Sequence, residues 1–124
     1  MQNNTIQSFD FDGVVSIGIC PGPNDIIITG RCIDEQEHVL SILKNRNINN
    51  AVYFNPMLLS ERGNHSIEAR TFSGKHKART LNLLKQRGIK IQYHFEDDEI
   101  QQQIIEQEGP KEVTVIKIES PIEK

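Results

Sequence analysis

Short apolar runs separated by glycine, proline and asparagine are the clearest pattern in this 124-residue chain. The run from Ile6 to Phe11 leads into an acidic turn, and the run from Ile26 to Thr29 ends at Gly30. Runs of this length, rich in branched and aromatic side chains and bounded by turn residues, predict β-strands. The predicted strands cover residues 6–11, 26–29, 51–54, 89–95 and 113–118.

Apolar residues at helical spacing lie between these strands. The predicted helices cover residues 34–47, 75–87 and 98–107. Asp34 is expected to cap the first helix and Ser73 the second, which ends before Gly88. Residues 57–74 carry mixed charge without a clear period, so we expect a loop or a partly ordered flap there.

Strands that alternate with helices predict a parallel sheet with right-handed crossovers and helices on both faces. The expected fold is α/β, a Rossmann-like three-layer α/β/α arrangement around a central, mostly parallel five-stranded sheet. A length of 124 residues leaves too little chain for two independent cores. We therefore expect residues 1–124 to form a single domain with a polar tail at residues 119–124.

Composition narrows the class of protein. Hydrophobic residues make up 36% and charged residues 25% of the chain, which is compatible with a folded core. The longest apolar runs are only a few residues, so we expect a soluble, cytoplasmic protein without a membrane partner. A net charge of −3 argues mildly against polyanion binding as the main role. Cys20 and Cys32 lack the CxxC spacing of a zinc site.

Polar side chains that could bind a ligand or take part in catalysis follow the predicted strands. Ligands of parallel α/β sheets bind beyond the carboxyl ends of the strands. Asp10 and Asp12 follow the first strand, Thr29 ends the second, Asn55 follows the third, and the acidic residues 96–98 close the fourth. Two acids placed two residues apart in a cleft repel one another, so they favour a bound cation or a proton-carrying role. The alternative is an exposed turn, which this spacing also forms.

These segments together resemble the haloacid dehalogenase (HAD) superfamily of phosphohydrolases. Asp10-Phe11-Asp12 matches the aspartate pair of the first family motif, and Thr29-Gly30-Arg31 matches the second. Lys75 fits the lysine of the third motif, with Lys77 as the alternative. The acidic run at residues 96–98 fits the fourth motif. All four motifs occur in the family's order, and the resemblance covers about residues 6–118.

The resemblance implies a catalytic role for four side chains. Asp10 would be the nucleophile that forms an aspartyl-phosphate, and Asp12 would be the general acid and then the general base. Thr29 would donate a hydrogen bond to a phosphoryl oxygen, and Lys75 would bring positive charge to the nucleophile and the phosphate. The implied substrate contacts are Thr29, Gly30, Arg31 and Lys75.

The resemblance also implies a magnesium cofactor. Its ligands would be Asp10, the backbone carbonyl of Asp12 and an acid of the fourth motif, with Asp97 favoured and Asp98 as the alternate. The family often inserts a cap domain, but residues 16–25 and 57–73 are too short for one. We therefore expect an open site, suited to a bulky substrate such as a nucleic-acid end or a phosphoprotein. A small metabolite is the other expected substrate, with a neighbouring subunit of a homo-oligomer as the lid.

The expected function is thus a magnesium-dependent phosphatase of the capless type, acting on a phosphomonoester. The first alternative is a non-catalytic protein of the same fold that binds phosphate or protein. The second is a receiver that accepts phosphate on an aspartate, but such a protein needs that aspartate at the end of the third strand, where this chain has Asn55.

Overall fold

The computed structural model describes residues 5–119, so the expected polar tail lies outside the described residues except for Glu119. The strands are β1 (Ile6–Phe9), β2 (Ile26–Cys32), β3 (Val52–Asn55), β4 (Ile91–Glu96) and β5 (Thr114–Lys117). They form one sheet in the order β3-β2-β1-β4-β5, and every neighbouring pair is parallel. The predicted parallel five-stranded sheet is confirmed.

The helices are α1 (Gln36–Asn45), α2 (Leu59–Arg62), α3 (Ile67–Gln86) and α4 (Glu99–Glu108). A 3₁₀ turn at Ile33–Glu35 leads into α1. Asp34 does not cap α1 as predicted, because its carboxylate accepts instead from the backbone N–H of Leu59 at 3.1 Å. Within residues 5–119 no helix combines the length and the apolar character needed to cross a membrane.

The two faces of the sheet are covered by different helices, which gives three layers. On one face Ile27 packs with Val39 and Leu43 of α1. On the other face Ile28 packs with Leu81 of α3 and Ile105 of α4. Side chains alternate between faces along a strand, so the continuous apolar run of β2 supplies both cores. This arrangement confirms the Rossmann-like three-layer α/β fold.

Strand β1 ends two residues earlier than predicted. The chain turns after Asp10 into a wide helical turn over Phe11–Val15, and Gly13 takes a φ of +80° within it. That conformation lies in the left-handed region, which glycine adopts without steric cost. Phe11, predicted as a strand residue, is buried by this turn instead.

Helix α3 begins at Ile67 rather than near residue 75, and most of the predicted loop at 57–74 is helical. Ser66 caps α3 by accepting from the backbone N–H of Ala69 at 3.0 Å. Ser73, predicted as the cap, lies in the middle of the helix and is buried. Its small side chain serves close packing, since a Cβ added at Gly30 would come within 2.6 Å of the Cβ of Ser73.

Candidate functional site

Three acidic side chains meet where β1 and β4 end. The backbone N–H of Asp10 donates to the carbonyl of Phe95 at 2.9 Å, which holds the end of β1 beside the end of β4. Asp10, Glu96 and Asp97 each offer a carboxylate oxygen, and these oxygens lie within 4.8 Å of one another. Asp10 and Glu96 are buried, and Asp97 is half-buried. The acidic cluster at this edge of the sheet was therefore correctly located from the sequence.

Lys77 of α3 is the cation of this cluster. Its Nζ lies 2.9 Å from Asp10 Oδ1 and 2.8 Å from Glu96 Oε1. The Lys77 side chain is only 1% exposed. The close approach of α3 to β2 at Gly30 and Ser73, one helical turn before Lys77, brings the ammonium to this depth.

The structure does not bring Lys75 to the cluster. Lys75 Nζ pairs with Glu108 at 2.8 Å on the outside of α3 and α4, and its side chain is 44% exposed. Two residues along an α-helix are separated by about 200° around its axis, so Lys75 and Lys77 point to opposite faces. The sequence had left Lys77 as the alternative to Lys75 for the motif lysine, and the geometry favours Lys77.

Excess negative charge is concentrated around this lysine. Burial raises the pKa of Asp10 well above its usual range, Glu96 adds to the shift and Lys77 opposes it. Burial, with Asp10 beside it, raises the pKa of Asp97 to about 7. Burial alone would lower the pKa of Lys77, but Asp10 and Glu96 outweigh it and raise that pKa. A protonated lysine among three carboxylates leaves a surplus that a shared proton or a cation can relieve.

Glu96 is held by donors from within the protein. Besides Lys77, its Oε1 lies 3.0 Å from Nε2 of His94, and its Oε2 accepts from the backbone N–H of Asp98 at 3.3 Å. His94 Nδ1 lies 2.7 Å from the hydroxyl oxygen of Ser8 on the neighbouring strand. Burial, with Lys77 nearby, lowers the pKa of His94 well below its usual value, so the ring is neutral. A neutral ring donates from Nε2 to Glu96 and accepts from Ser8 at Nδ1.

The oxygens best placed for a cation therefore belong to Asp10 and Asp97, because both Glu96 oxygens are engaged. The carboxylates of Asp97 and Asp10 lie close together. Asp97 passes over Gly13, where an added Cβ would come within 1.9 Å of Asp97 Oδ2. Glycine at position 13 is thus required for two reasons. It adopts the positive φ, and it leaves room for the side chain of Asp97.

Asp12 lies at the mouth of the site and forms a bidentate ion pair with Arg31. Arg31 Nε donates to Asp12 Oδ2 at 2.8 Å, and Nη2 donates to Oδ1 at 2.9 Å. A third bond, from Nη1 to Glu35 Oε2 at 3.0 Å, fixes the guanidinium from the other side. The Asp12 carboxylate is half-exposed, unlike that of Asp10. The two predicted aspartates therefore lie in different environments.

Two other predicted residues have structural partners. Thr29 is fully buried, and its Oγ1 accepts from the backbone N–H of Arg31 at 3.0 Å. Asp98 caps α4 by accepting from the backbone N–H of Gln101 at 3.0 Å, and its Oδ1 pairs with Arg70 Nη2 at 2.6 Å. Of the two acids proposed as metal ligands from the fourth motif, the structure brings Asp97 to Asp10 and uses Asp98 as a helix cap.

A pocket of about 290 Å³ opens over the cluster. Its walls are Asp10, Asp12, Gly30, Arg31, Glu35, Arg62, Asn64, His65, Ala69, Arg70, Ser73, Lys77, Asp97, Asp98 and Gln101. Thr29 is not among them, whereas Gly30 and Arg31 are. The segment at 57–74, predicted as a loop or a partly ordered flap, forms one wall of this pocket through residues such as Arg62 and His65.

Sequence reasoning missed the roles of Glu96 and His94. Glu96 was considered only as one member of the acidic run, and His94 only as a scattered polar residue. The available signal was the alternation of β4, which places His94 and Glu96 on one face, two residues apart. The pairing of His94 with Ser8 needs the register of β1 on β4, which the sequence does not contain.

The fold and the site together define a three-layer α/β protein with a buried lysine and an acidic cluster at the carboxyl edge of its sheet. Comparisons of the chain with protein families, with curated proteins and with solved structures give no match.

Proposed function

We propose that this protein is a magnesium-dependent phosphohydrolase that acts on a phosphomonoester through an aspartyl-phosphate on Asp10. One observation carries the proposal: Asp10 is buried at the base of a polar pocket, between the ammonium of Lys77 and the carboxylate of Asp97. The likeness of the four segments to the HAD motifs supports the same chemistry. A carboxylate in contact with a fixed cation can approach a phosphate dianion that it would otherwise repel.

The donor set fits magnesium. Mg²⁺ prefers carboxylate and carbonyl oxygens and usually keeps several waters, so one or two carboxylates suffice. Asp10 and Asp97 supply two carboxylates, and the resemblance adds the backbone carbonyl of Asp12. Bound there, magnesium would neutralise the surplus negative charge of the cluster and part of the charge of the phosphate.

The first step is the attack of an Asp10 carboxylate oxygen on the phosphorus. A bond forms between Asp10 and phosphorus, the bond from phosphorus to the ester oxygen breaks, and Asp12 gives a proton to that leaving oxygen. In the second step Asp12 takes a proton from a water that attacks the same phosphorus. Asp10 is released as a carboxylate and inorganic phosphate leaves.

Lys77 and Arg31 have distinct tasks in this sequence. Lys77 keeps its contact with Asp10 and stabilises the charge that develops on the transferring phosphoryl group. Arg31 occupies both oxygens of Asp12 in this structure, so at least one of those bonds must open before Asp12 can reach the leaving oxygen. A phosphate dianion competes with Asp12 for the same guanidinium. Substrate binding therefore favours opening of the bond between Arg31 and Asp12.

The test is hydrolysis of p-nitrophenyl phosphate by the purified protein with magnesium and with a chelator. We expect turnover only with magnesium, and loss of turnover in Asp10→Asn, whose amide is a poor nucleophile. Unfolding measurements on the same variant establish that it is folded. A parent protein that binds inorganic phosphate but turns over no ester in magnesium would favour the non-catalytic alternative.

A further inference from the structure

The walls of the pocket carry information about the substrate. We propose that the site takes a compact monophosphate of an uncharged, hydroxyl-rich alcohol, such as a sugar or polyol phosphate, rather than a nucleotide, a bisphosphate or a macromolecular phosphate. This inference rests on the proposed function and adds the class of substrate to it.

The charge of the pocket leaves no room for a second phosphate. Its walls hold four cationic side chains and five carboxylates, which gives a net charge of −1 when all are ionised and the one histidine is neutral. A magnesium ion and one phosphate dianion together bring no net charge, so the loaded pocket returns to −1. A second phosphate dianion would take it to −3 in a partly desolvated space, where like charges repel strongly.

The arginines of the pocket are also already engaged. Arg31 is paired with Asp12 and Glu35, and Arg70 with Asp98. Arg62 Nη1 donates to the carbonyl of Gly30 at 2.6 Å. The reacting phosphate can bind Lys77, and it can replace Asp12 as the partner of Arg31. Among the wall residues, no further guanidinium is left without a partner to hold a second anionic group.

The walls of the pocket offer a nucleobase little aromatic surface for stacking. Stacking of a base on an aromatic side chain contributes about 1–3 kcal/mol per base in proteins that bind single strands. Among the described residues that line the pocket none is Phe, Tyr or Trp, His65 supplies the one aromatic ring, and Ala69 carries the only apolar side chain. Asn64, His65, Ser73 and Gln101 offer hydrogen-bonding groups instead. Such walls suit an organic group that is covered with hydroxyls.

Gln101 adds a specific acceptor. It lines the pocket from α4, and its side-chain oxygen is buried without a hydrogen-bond partner. An unsatisfied buried acceptor is costly, so a ligand that supplies a donor is favoured there. Hydroxyl groups are such donors.

The size of the pocket agrees with a small substrate. A volume of about 290 Å³ lies just below the range of roughly 300–1,000 Å³ for small-molecule sites. Arg62 at the end of α2 and His65 after it close one side of the pocket. A hexose phosphate can thus make most of its contacts within the pocket, whereas most of an oligonucleotide or a phosphopeptide would remain outside.

The experiment compares kcat/KM in magnesium for five substrates. They are a hexose 6-phosphate, the hexose 1,6-bisphosphate, a nucleoside 5′-monophosphate, a 3′-phosphorylated oligonucleotide and p-nitrophenyl phosphate. We expect the hexose 6-phosphate to exceed the bisphosphate, the nucleotide and the oligonucleotide by about tenfold or more, which corresponds to about 1.4 kcal/mol. Gln101→Met should lower kcat/KM for the hexose 6-phosphate more than it lowers kcat/KM for p-nitrophenyl phosphate, which has no hydroxyl for this acceptor. Gln103→Met, on the exposed side of the same helix, is the matched control and should change neither.

The outcomes separate the two proposals. If the parent protein hydrolyses p-nitrophenyl phosphate but prefers the nucleotide, the bisphosphate or the oligonucleotide, or shows no preference, the substrate class is wrong and the proposed function stands. If Gln101→Met and Gln103→Met have equal effects, the assignment of Gln101 fails. If none of the five esters is hydrolysed in magnesium, the proposed function itself is wrong.

Discussion

Lys77 is the single residue on which the chemistry of the site most depends. A fully buried ammonium is costly unless it is paired, and here two carboxylates pair with it at 2.9 and 2.8 Å. The same lysine gives Asp10 a cation in contact. Its neighbour Lys75 has the same charge and lies on the same helix, but its pair with Glu108 is exposed. Substitutions at these two lysines therefore distinguish the effect of losing a cation in the site from the effect of losing one at the surface.

We expect Lys77→Met to lower kcat by about 10²-fold or more, because a positioned cation at the reacting phosphate is lost. The same change should destabilise the fold by about 3 kcal/mol, since Asp10 and Glu96 lose their buried partner. Lys75→Met should keep near-parental activity and change stability by less than about 1 kcal/mol. Steady-state kinetics and urea unfolding of both variants check this. Equal activity losses in the two variants would contradict the assignment of Lys77.

Asp97 and Asp98 are adjacent acids with different expected roles. Asp97→Asn should raise the magnesium concentration that gives half-maximal activity by about tenfold or more, because a candidate ligand is lost. Asp98→Asn should leave that concentration near its parental value and cost less than about 1 kcal/mol of stability, because asparagine keeps the cap of α4 and only the charge of the pair with Arg70 is lost. Magnesium titrations of both variants decide between them. A larger effect in Asp98→Asn would make Asp98 the ligand.

At the scale of elements, the position of α3 determines the site. Small residues let this helix approach two neighbours at once. A Cβ at Gly30 would come within 2.6 Å of the Cβ of Ser73, and one at Gly74 would come within 3.2 Å of the backbone of Gln101. The Ser-Gly pair that marked a helix start in the sequence is therefore a packing surface in the middle of the helix.

Gly30→Ala should push α3 away from β2 and carry Lys77 with it, so both activity and stability should fall. Overpacking of this kind costs typically 1–3 kcal/mol, so we expect a loss of about 2 kcal/mol. Adding Ser73→Gly to the same chain removes the opposing Cβ and should restore part of both losses. The measurement is a double-mutant cycle of unfolding free energies and kcat. Strictly additive losses would show that the two positions do not act through this contact.

Helix α3 also carries a buried histidine whose protonation opposes folding. Burial lowers the pKa of His76 to about 4, and the charges of Lys77 and Arg79 add to this effect. An unfolded histidine titrates near 6.5, so between these values the unfolded chain binds more protons than the folded one. Stability from this residue is therefore complete above about pH 6.5 and is lost as the pH falls toward 4.

The parent protein should accordingly lose about 2 kcal/mol relative to His76→Leu when the pH is lowered from 7 to 5. Comparison of the two proteins removes the contributions of the acidic cluster, which both of them retain. His38→Leu, on the exposed side of α1, is the matched control and should follow the parent. Urea unfolding at the two pH values provides the data. A parent and a His76→Leu variant with the same pH dependence would contradict the buried, neutral state of His76.

The whole molecule shows which features a sequence can predict. Alternating apolar runs and helical periods predicted the parallel five-stranded sheet, because periodicity directly reflects burial. The residues that follow β1 and β4 were predicted to meet, because parallel strands end at one edge. The pairing of Lys77 rather than Lys75, and the support of Glu96 by His94, depend on helix rotation and strand register. Those are properties of tertiary packing, which local patterns do not contain.

The covalent intermediate on Asp10 tests the central proposal most directly. Asp12→Asn should slow the hydrolysis of the aspartyl-phosphate more than its formation when the leaving group is p-nitrophenolate, which departs without a proton. The variant is mixed with p-nitrophenyl phosphate and magnesium, quenched with acid within one turnover, digested and analysed by mass spectrometry. We expect one phosphoryl group on Asp10, absent without magnesium and absent from the Asp10→Asn, Asp12→Asn double variant. Release of p-nitrophenolate in step with free phosphate, with no phosphoryl group on Asp10 at any time in the turnover, would contradict the account.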